Sequence, residues 1–358
     1  MRTTLFTSVL FLGIGLVCTQ GCGSENEATS GEDAGSSGVL GGGGDGGTSG
    51  GINGTCATAS KKAEKVPLDM VIGLDTSFSM DFDDKWTNVR SALKSFVKNP
   101  AYSELGVGLQ FFPIRKLCSV ADYGQPAVPL QLQPQAAAPI IAALDAQQMA
   151  DGTPMVPLLQ GLSQYLKANA KPDRKPVIVL ATDGVPDATC LGAGAGALPN
   201  TLDNAVAVAT EAKAATPSIS TFVIGVGGEL SSLDAIAKAG GTDKATLVDT
   251  GGNTEQLFLK ALDEIRKQAI PCDYSIPDKV EDPTKTNVTY TPASGGAVQF
   301  VFVGNADGCA KSPTNGWYFD DEKAPKKVVL CAQACDAVKQ DDNGQVDVVF
   351  GCPRLEVR

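Results

Sequence analysis

Short apolar runs alternate with amphipathic stretches between residues 68 and 270, and this alternation constrains the fold more than any other feature. The run Leu68-Asp69-Met70-Val71-Ile72-Gly73-Leu74 predicts a buried strand that ends at Asp75. Further strands are expected over 106–112, 128–132, 177–180, 219–226 and 245–248. Helical spacing of apolar residues predicts helices over 86–97, 139–144, 154–166, 202–214, 230–239 and 254–270. Val177-Ile178-Val179-Leu180 is apolar at every position, as central strands covered on both faces are. Strands that alternate with helices predict an α/β fold with a doubly wound, mostly parallel sheet flanked by helices.

In such sheets ligands bind just beyond the carboxyl ends of the strands. Three junctions there carry oxygen donors. The first is Asp75-Thr76-Ser77-Phe78-Ser79, the second Asp151-Gly152-Thr153-Pro154, and the third Ala181-Thr182-Asp183-Gly184. Together they offer the carboxylates of Asp75 and Asp183 and the hydroxyls of Ser77, Ser79 and Thr153. A donor set of hard oxygens suits Mg2+ or Mn2+. Its three neutral members leave the ion much of its charge, so an open position could accept a carboxylate from another molecule. The chain has no histidine at all, which removes His-based nucleophilic triads, His-ligated zinc and proximal-His haem.

These residues resemble the von Willebrand factor type A domain and its metal-ion-dependent adhesion site. The family motif is Asp-x-Ser-x-Ser, a Thr in a second loop and an Asp in a third. Asp75, Ser77, Ser79, Thr153 and Asp183 match it one by one. The resemblance spans about residues 65 to 270. It implies a Mg2+ ion held directly by the hydroxyls of Ser77, Ser79 and Thr153. Asp75 and Asp183 would act directly or through water, and a partner would supply an acidic side chain.

The N-terminus reads as a targeting segment. A basic Arg2 precedes an apolar run over 5–17, the length of a signal-peptide core and short of a membrane span. Thr19-Gln20-Gly21-Cys22 then resembles the bacterial lipoprotein box, with Thr19 where an aliphatic residue is commoner. The expected order is a signal peptide over 1–21, removed in the mature protein, and lipidation of Cys22. Plain secretion and an uncleaved anchor are the alternatives. From 23 to 55 the chain has no aromatic residue, Lys or Arg and is rich in Gly, so 22–55 reads as a flexible tether. This places the protein in the cell envelope, lipid-anchored at an outer membrane or cell surface. The net charge of -11 makes nucleic acid an unsuitable partner.

Of 10 cysteines, Cys18 would be discarded and Cys22 lipidated, leaving an even set suited to disulfides. The oxidising compartment implied by a signal peptide favours bridges. Cys56 and Cys272 flank the 56–272 domain, where some members of the family join the chain ends. Cys118 and Cys190 lie in loops within it and could pair. Cys309, Cys331, Cys335 and Cys352 fall in a second region, 273–358, which reads as a small disulfide-rich α+β module. Its strands are expected over 287–290, 298–303, 327–330 and 346–350, with a helix over 332–338. Gly316-Trp317-Tyr318-Phe319 reads better as core packing than as a recognition patch.

The function expected from this sequence is metal-dependent binding of a protein partner, not catalysis. A scaffold in which the ion only stabilises the fold is the alternative. A Mg2+-dependent hydrolase would need a general base near the ion, and only the ligand carboxylates are visible.

Overall fold

The computed structural model describes residues 59–356 apart from Ala63, Val66, Thr189, 191–195, Glu229, 277–281 and Asp342. The signal segment, Cys22, the tether and Cys56 lie outside the described residues. Two short strands, β1 (Ala59–Lys62) and β2 (Glu64–Lys65), precede β3 (Leu68–Asp75). Then come α1 (Lys85–Lys98), β4 (Gly106–Phe112), α2 (Val120–Tyr123), β5 (Val128–Leu132) and α3 (Ala137–Ala146). After them stand α4 (Met155–Asn169), β6 (Lys175–Thr182), α5 (Leu202–Ala214), β7 (Ser220–Val226), α6 (Asp234–Ala239), β8 (Thr246–Val248) and α7 (Thr254–Ala269).

Six of these strands form one sheet in the order β5-β4-β3-β6-β7-β8. Every pairing in it is parallel except that of the edge strand β5, which runs antiparallel to β4. Successive side chains of a strand point to opposite faces, and here they divide between two cores. Met70, Ile72 and Leu74 of β3, with Val177 and Val179 of β6, pack against α1, α3 and α7. Val71 of β3, with Ile178 and Leu180 of β6, packs against α4, α5 and α6. The continuous apolar runs therefore fill both cores at once, and the sheet is doubly wound as expected. This is the fold that the resemblance to the von Willebrand factor type A domain implies. Gly73 faces α4, where an added Cβ would stand 2.9 Å from the Leu158 side chain. The missing side chain lets α4 lie close on β3, which fixes the loop that enters α4.

A second sheet is built around β9 (Asp273–Ser275), β10 (Thr286–Thr291), β11 (Val298–Phe302), β12 (Gly316–Phe319), β13 (Lys327–Leu330) and β14 (Gln345–Phe350), with α8 (Ala332–Gln340) between the last two. The order is β1-β14-β10-β11-β12-β13-β9-β2. The residues before β3 thus pair with this sheet and not with the first. β1 and β2 sit at opposite edges of the order, yet one residue separates them in the chain. At ~3.3–3.6 Å per residue the two edges must meet within about 7 Å there, so the sheet curls round its core. Trp317, buried completely, packs edge-on between Phe302 and Phe319 with centroids 5.0 Å from each. Gly316–Phe319 is accordingly a core strand.

The cysteines correct one expectation. Cys272 is joined to Cys335, so the Cys56–Cys272 bridge does not form. The reason lies in β9: the chain leaving α7 runs antiparallel to β13 and so lies beside the start of α8. The Cα atoms of Cys272 and Cys335 are 5.4 Å apart, a natural bridge distance. Cys309 is joined to Cys331, and Cys118 to Cys190. Cys352 is also disulfide-bonded. Among the described residues, no helix is long and apolar enough to cross a membrane.

Candidate metal centre

β3 delivers Asp75 at its last residue, fully buried. The Ser77 N–H donates to Asp75 Oδ1 at 2.8 Å, and the Thr182 hydroxyl donates to Oδ2 at 2.5 Å. Burial pushes the Asp75 carboxyl up to about 6, and the bonds from Thr182 and Ser77 offset that only in part.

The first loop is zipped to the segment before the second. Phe78 N–H donates to the Ala150 carbonyl at 3.0 Å, and Ala150 N–H donates to the Thr76 carbonyl at 2.9 Å. Gly152 then turns the chain at φ 98°, a left-handed conformation that glycine adopts without steric cost. Thr153 comes next, at the entry to α4. Its N–H donates to Asp187 Oδ2 at 2.9 Å, and its carbonyl accepts from Asn200 Nδ2 at 2.9 Å. Asn200 also donates to Asp187 Oδ1 at 3.2 Å, so the second loop and the chain after β6 are tied together. The Cys118–Cys190 bridge fastens that same chain to the stretch after β4.

This bracing brings four of the five expected ligands into direct hydrogen-bonded sequence. Asp75 accepts from Ser77 N–H. Ser77 Oγ lies 2.9 Å from Ser79 Oγ, and the Ser79 hydroxyl donates to Asp183 Oδ1 at 2.8 Å. Thr153 approaches the third loop: its hydroxyl oxygen lies 3.8 Å from where a Cβ on Gly184 would stand. Among the described residues no group of three or more Asp, Glu or Cys side chains converges. The hydroxyls are therefore needed to make a donor set.

The spacing fits the ion. Ligands ~2.0–2.1 Å from an octahedral Mg2+ stand about 2.9 Å from their neighbours. The Ser77–Ser79 and Ser79–Asp183 oxygen separations, 2.9 and 2.8 Å, are those of hydrogen bonds and are also compatible with that edge. Both oxygens of Asp75 are already engaged by Ser77 and Thr182, which suits a role through water.

Three residues that the motif does not contain also shape the site. Thr182 orients Asp75, and Asp187 holds the Thr153 backbone. Lys85, the first residue of α1, donates to Asp183 Oδ2 at 2.7 Å and to the Ser79 carbonyl at 3.1 Å. Thr182 stands directly before a motif residue and was the one within reach of sequence reasoning. Phe78 and Phe82 in the first loop and Val185 in the third are large exposed apolar residues flanking the site.

No protein-family model matches the chain, and no curated protein matches it. Solved structures do resemble it. The open conformation of the pilus adhesin SpaC from Lactobacillus rhamnosus GG is 16% identical at a TM-score of 0.44, over 81% of this chain and 39% of that one. A von Willebrand factor type A protein from Catenulispora acidiphila is 14% identical at 0.41, over 83% of this chain and 61% of that one. The manganese-loaded TRAP protein of Plasmodium vivax is 16% identical at 0.38, over 56% and 76%. The chain thus spans about two fifths of the length of SpaC.

Proposed function

We propose that this protein is a cell-envelope binding protein whose centre at Asp75, Ser77, Ser79, Thr153 and Asp183 takes Mg2+ or Mn2+ and, through the ion, an acidic group of a protein partner. The observation that carries the reading is that Asp75, Ser77, Ser79 and Asp183, from two separate loops, are linked into one hydrogen-bonded row of oxygen donors. When bound, the ion supplies Lewis acidity for an incoming carboxylate. The chain supplies the rest. Neutral hydroxyls keep the ion electrophilic, Thr182 and Ser77 hold Asp75 in place, and Asp187 and Asn200 hold the Thr153 loop.

Phe78, Phe82 and Val185 add apolar contact area around the site, which suits a protein surface better than a small acid. The reading is of binding and not of catalysis. In it Cys22 carries the lipid anchor, the 22–55 tether presents the metal face, and the second sheet, built from 59–65 together with 273–358, supports the domain that holds the centre.

The experiment is affinity capture of surface proteins with and without chelator. Partners that bind in Mg2+, are lost on chelation and are lost in Ser79→Ala support the proposal. A partner set unchanged by chelation overturns it and favours a scaffold.

A further inference from the structure

Lys85 stands where helix physics disfavours it. It is the first residue of α1, and a cation at a helix N-terminus opposes the macrodipole. The chain takes an unusual route to put it there. Asp83 and Asp84, just before it, have φ of 56° and 53°, two consecutive left-handed residues neither of which is glycine. Such conformations cost energy and persist where surrounding contacts hold them. Asp84 makes no side-chain cap to the helix.

The side chain then turns back from solvent. It is 13% exposed, and the Asp183 side chain that it meets is 1% exposed. A partly desolvated ammonium at 2.7 Å from a buried carboxylate is a true ion pair, not a solvent-screened surface contact. The same ammonium also donates to the Ser79 carbonyl. Asp183 and Ser79 are both members of the metal centre. Lys85 is therefore bonded to two residues that the ion needs.

We propose that Lys85 is a tethered cation that competes with the divalent ion for Asp183 and so sets the affinity of the centre. The inference rests on the metal-site reading given under Proposed function. Two effects act together. The ammonium cancels one of the two negative charges, Asp75 and Asp183, that would attract the ion. It also stands one carboxylate away from the ion position, where two cations repel at low effective dielectric. In the ion-free protein Lys85 keeps Asp183 paired. Entry of the ion weakens that pair, so binding costs more than it would in a centre without the lysine. The centre is then tuned to fill only where divalent ions are abundant.

The test is calorimetric titration of Mg2+ and Mn2+ into the purified wild-type protein and into Lys85→Met. Lys94→Met is the control. Lys94 lies on the same helix and pairs with Asp145, away from the centre. Lys85→Met is expected to bind both ions more tightly by about tenfold or more, and Lys94→Met as wild type does. Thermal melting gives a second readout. In chelator Lys85→Met melts below wild type, because Asp183 is left unpaired, and added Mg2+ raises its melting temperature more than that of wild type. Tight binding by Lys85→Met where wild type binds weakly or not at all supports the proposal. Equal or weaker binding by Lys85→Met, with wild type binding, overturns it and leaves the metal centre standing. Failure of both proteins to bind either ion overturns the metal centre and this proposal together.

Discussion

Asp75→Asn is expected to stabilise the ion-free protein at neutral pH while removing its response to Mg2+. Asp75 is fully buried, and its hydrogen-bond donors are one N–H and one hydroxyl, both neutral. Its carboxyl titrates at about 6 in the fold against a reference of 3.8, chiefly because burial penalises the charge. The folded value is raised, so the fold favours the acid form. That advantage is full below the unfolded value and is lost as pH rises through the folded one. At neutral pH the ionised group then costs the ion-free fold about 3 kcal/mol. Asparagine mimics the neutral acid, and its carbonyl can still accept from Ser77 N–H. Its amide can donate to the Thr182 oxygen, whose own hydroxyl can turn to the Gly184 carbonyl 3.3 Å away. One amide N–H is then left without a partner among these groups, which takes part of the gain back.

The assay is urea denaturation in chelator, followed by the fluorescence of Trp86 and Trp317. Asp75→Asn should gain about 2–3 kcal/mol over wild type near pH 7.5, and the gain should vanish near pH 4. Added Mg2+ should close the gap by stabilising wild type alone. An Asp75→Asn protein equal to or weaker than wild type at neutral pH in chelator would show that the buried charge does not destabilise the ion-free fold.

The scaffold around the centre makes two further outcomes testable. Arg174 donates to Asp69 Oδ1 at 2.5 Å and to the carbonyls of Leu68 and Glu104, at the end of β3 away from the metal loops. Both side chains are under a tenth exposed, so Arg174→Met strands a buried carboxylate and should cost about 3–5 kcal/mol by denaturation, with Mg2+ affinity unchanged in the folded fraction. The Cys118–Cys190 bridge closes a loop of 72 residues, and the double serine variant should lose roughly 4 kcal/mol on the chain-entropy account. Because that bridge fastens the chain after Asp183, Mg2+ affinity should fall with it, as calorimetry on the folded protein would show.

The first sheet was legible because its physics is local. Each central strand is dominated by apolar residues, and each covering helix has its own periodicity, so 106–112, 128–132 and 202–214 appear with the bounds the sequence implies. The five residues proposed for the metal centre could be picked out because each lies within four residues of a strand or helix end. What escaped is what depends on pairing between distant segments. β1, β2 and β9 are two to four residues long and carry no periodicity of their own; partners 200 and more residues away make β1 a strand. The Cys272–Cys335 bridge arises from that pairing and could not be read without it. Lys85 escaped for a similar reason. Its sequence position is that of an ordinary first helical residue, and only the left-handed turn at Asp83 and Asp84 aims it at Asp183.

Under the proposed function, oxygens from three loops form one divalent-cation centre. Its most direct test is an anomalous difference map from crystals of this protein grown in Mn2+. A single strong peak is expected within coordination distance of the Ser77, Ser79 and Thr153 hydroxyls, with Asp183 adjoining. A map with no peak there, or with the ion held by other residues, would contradict it.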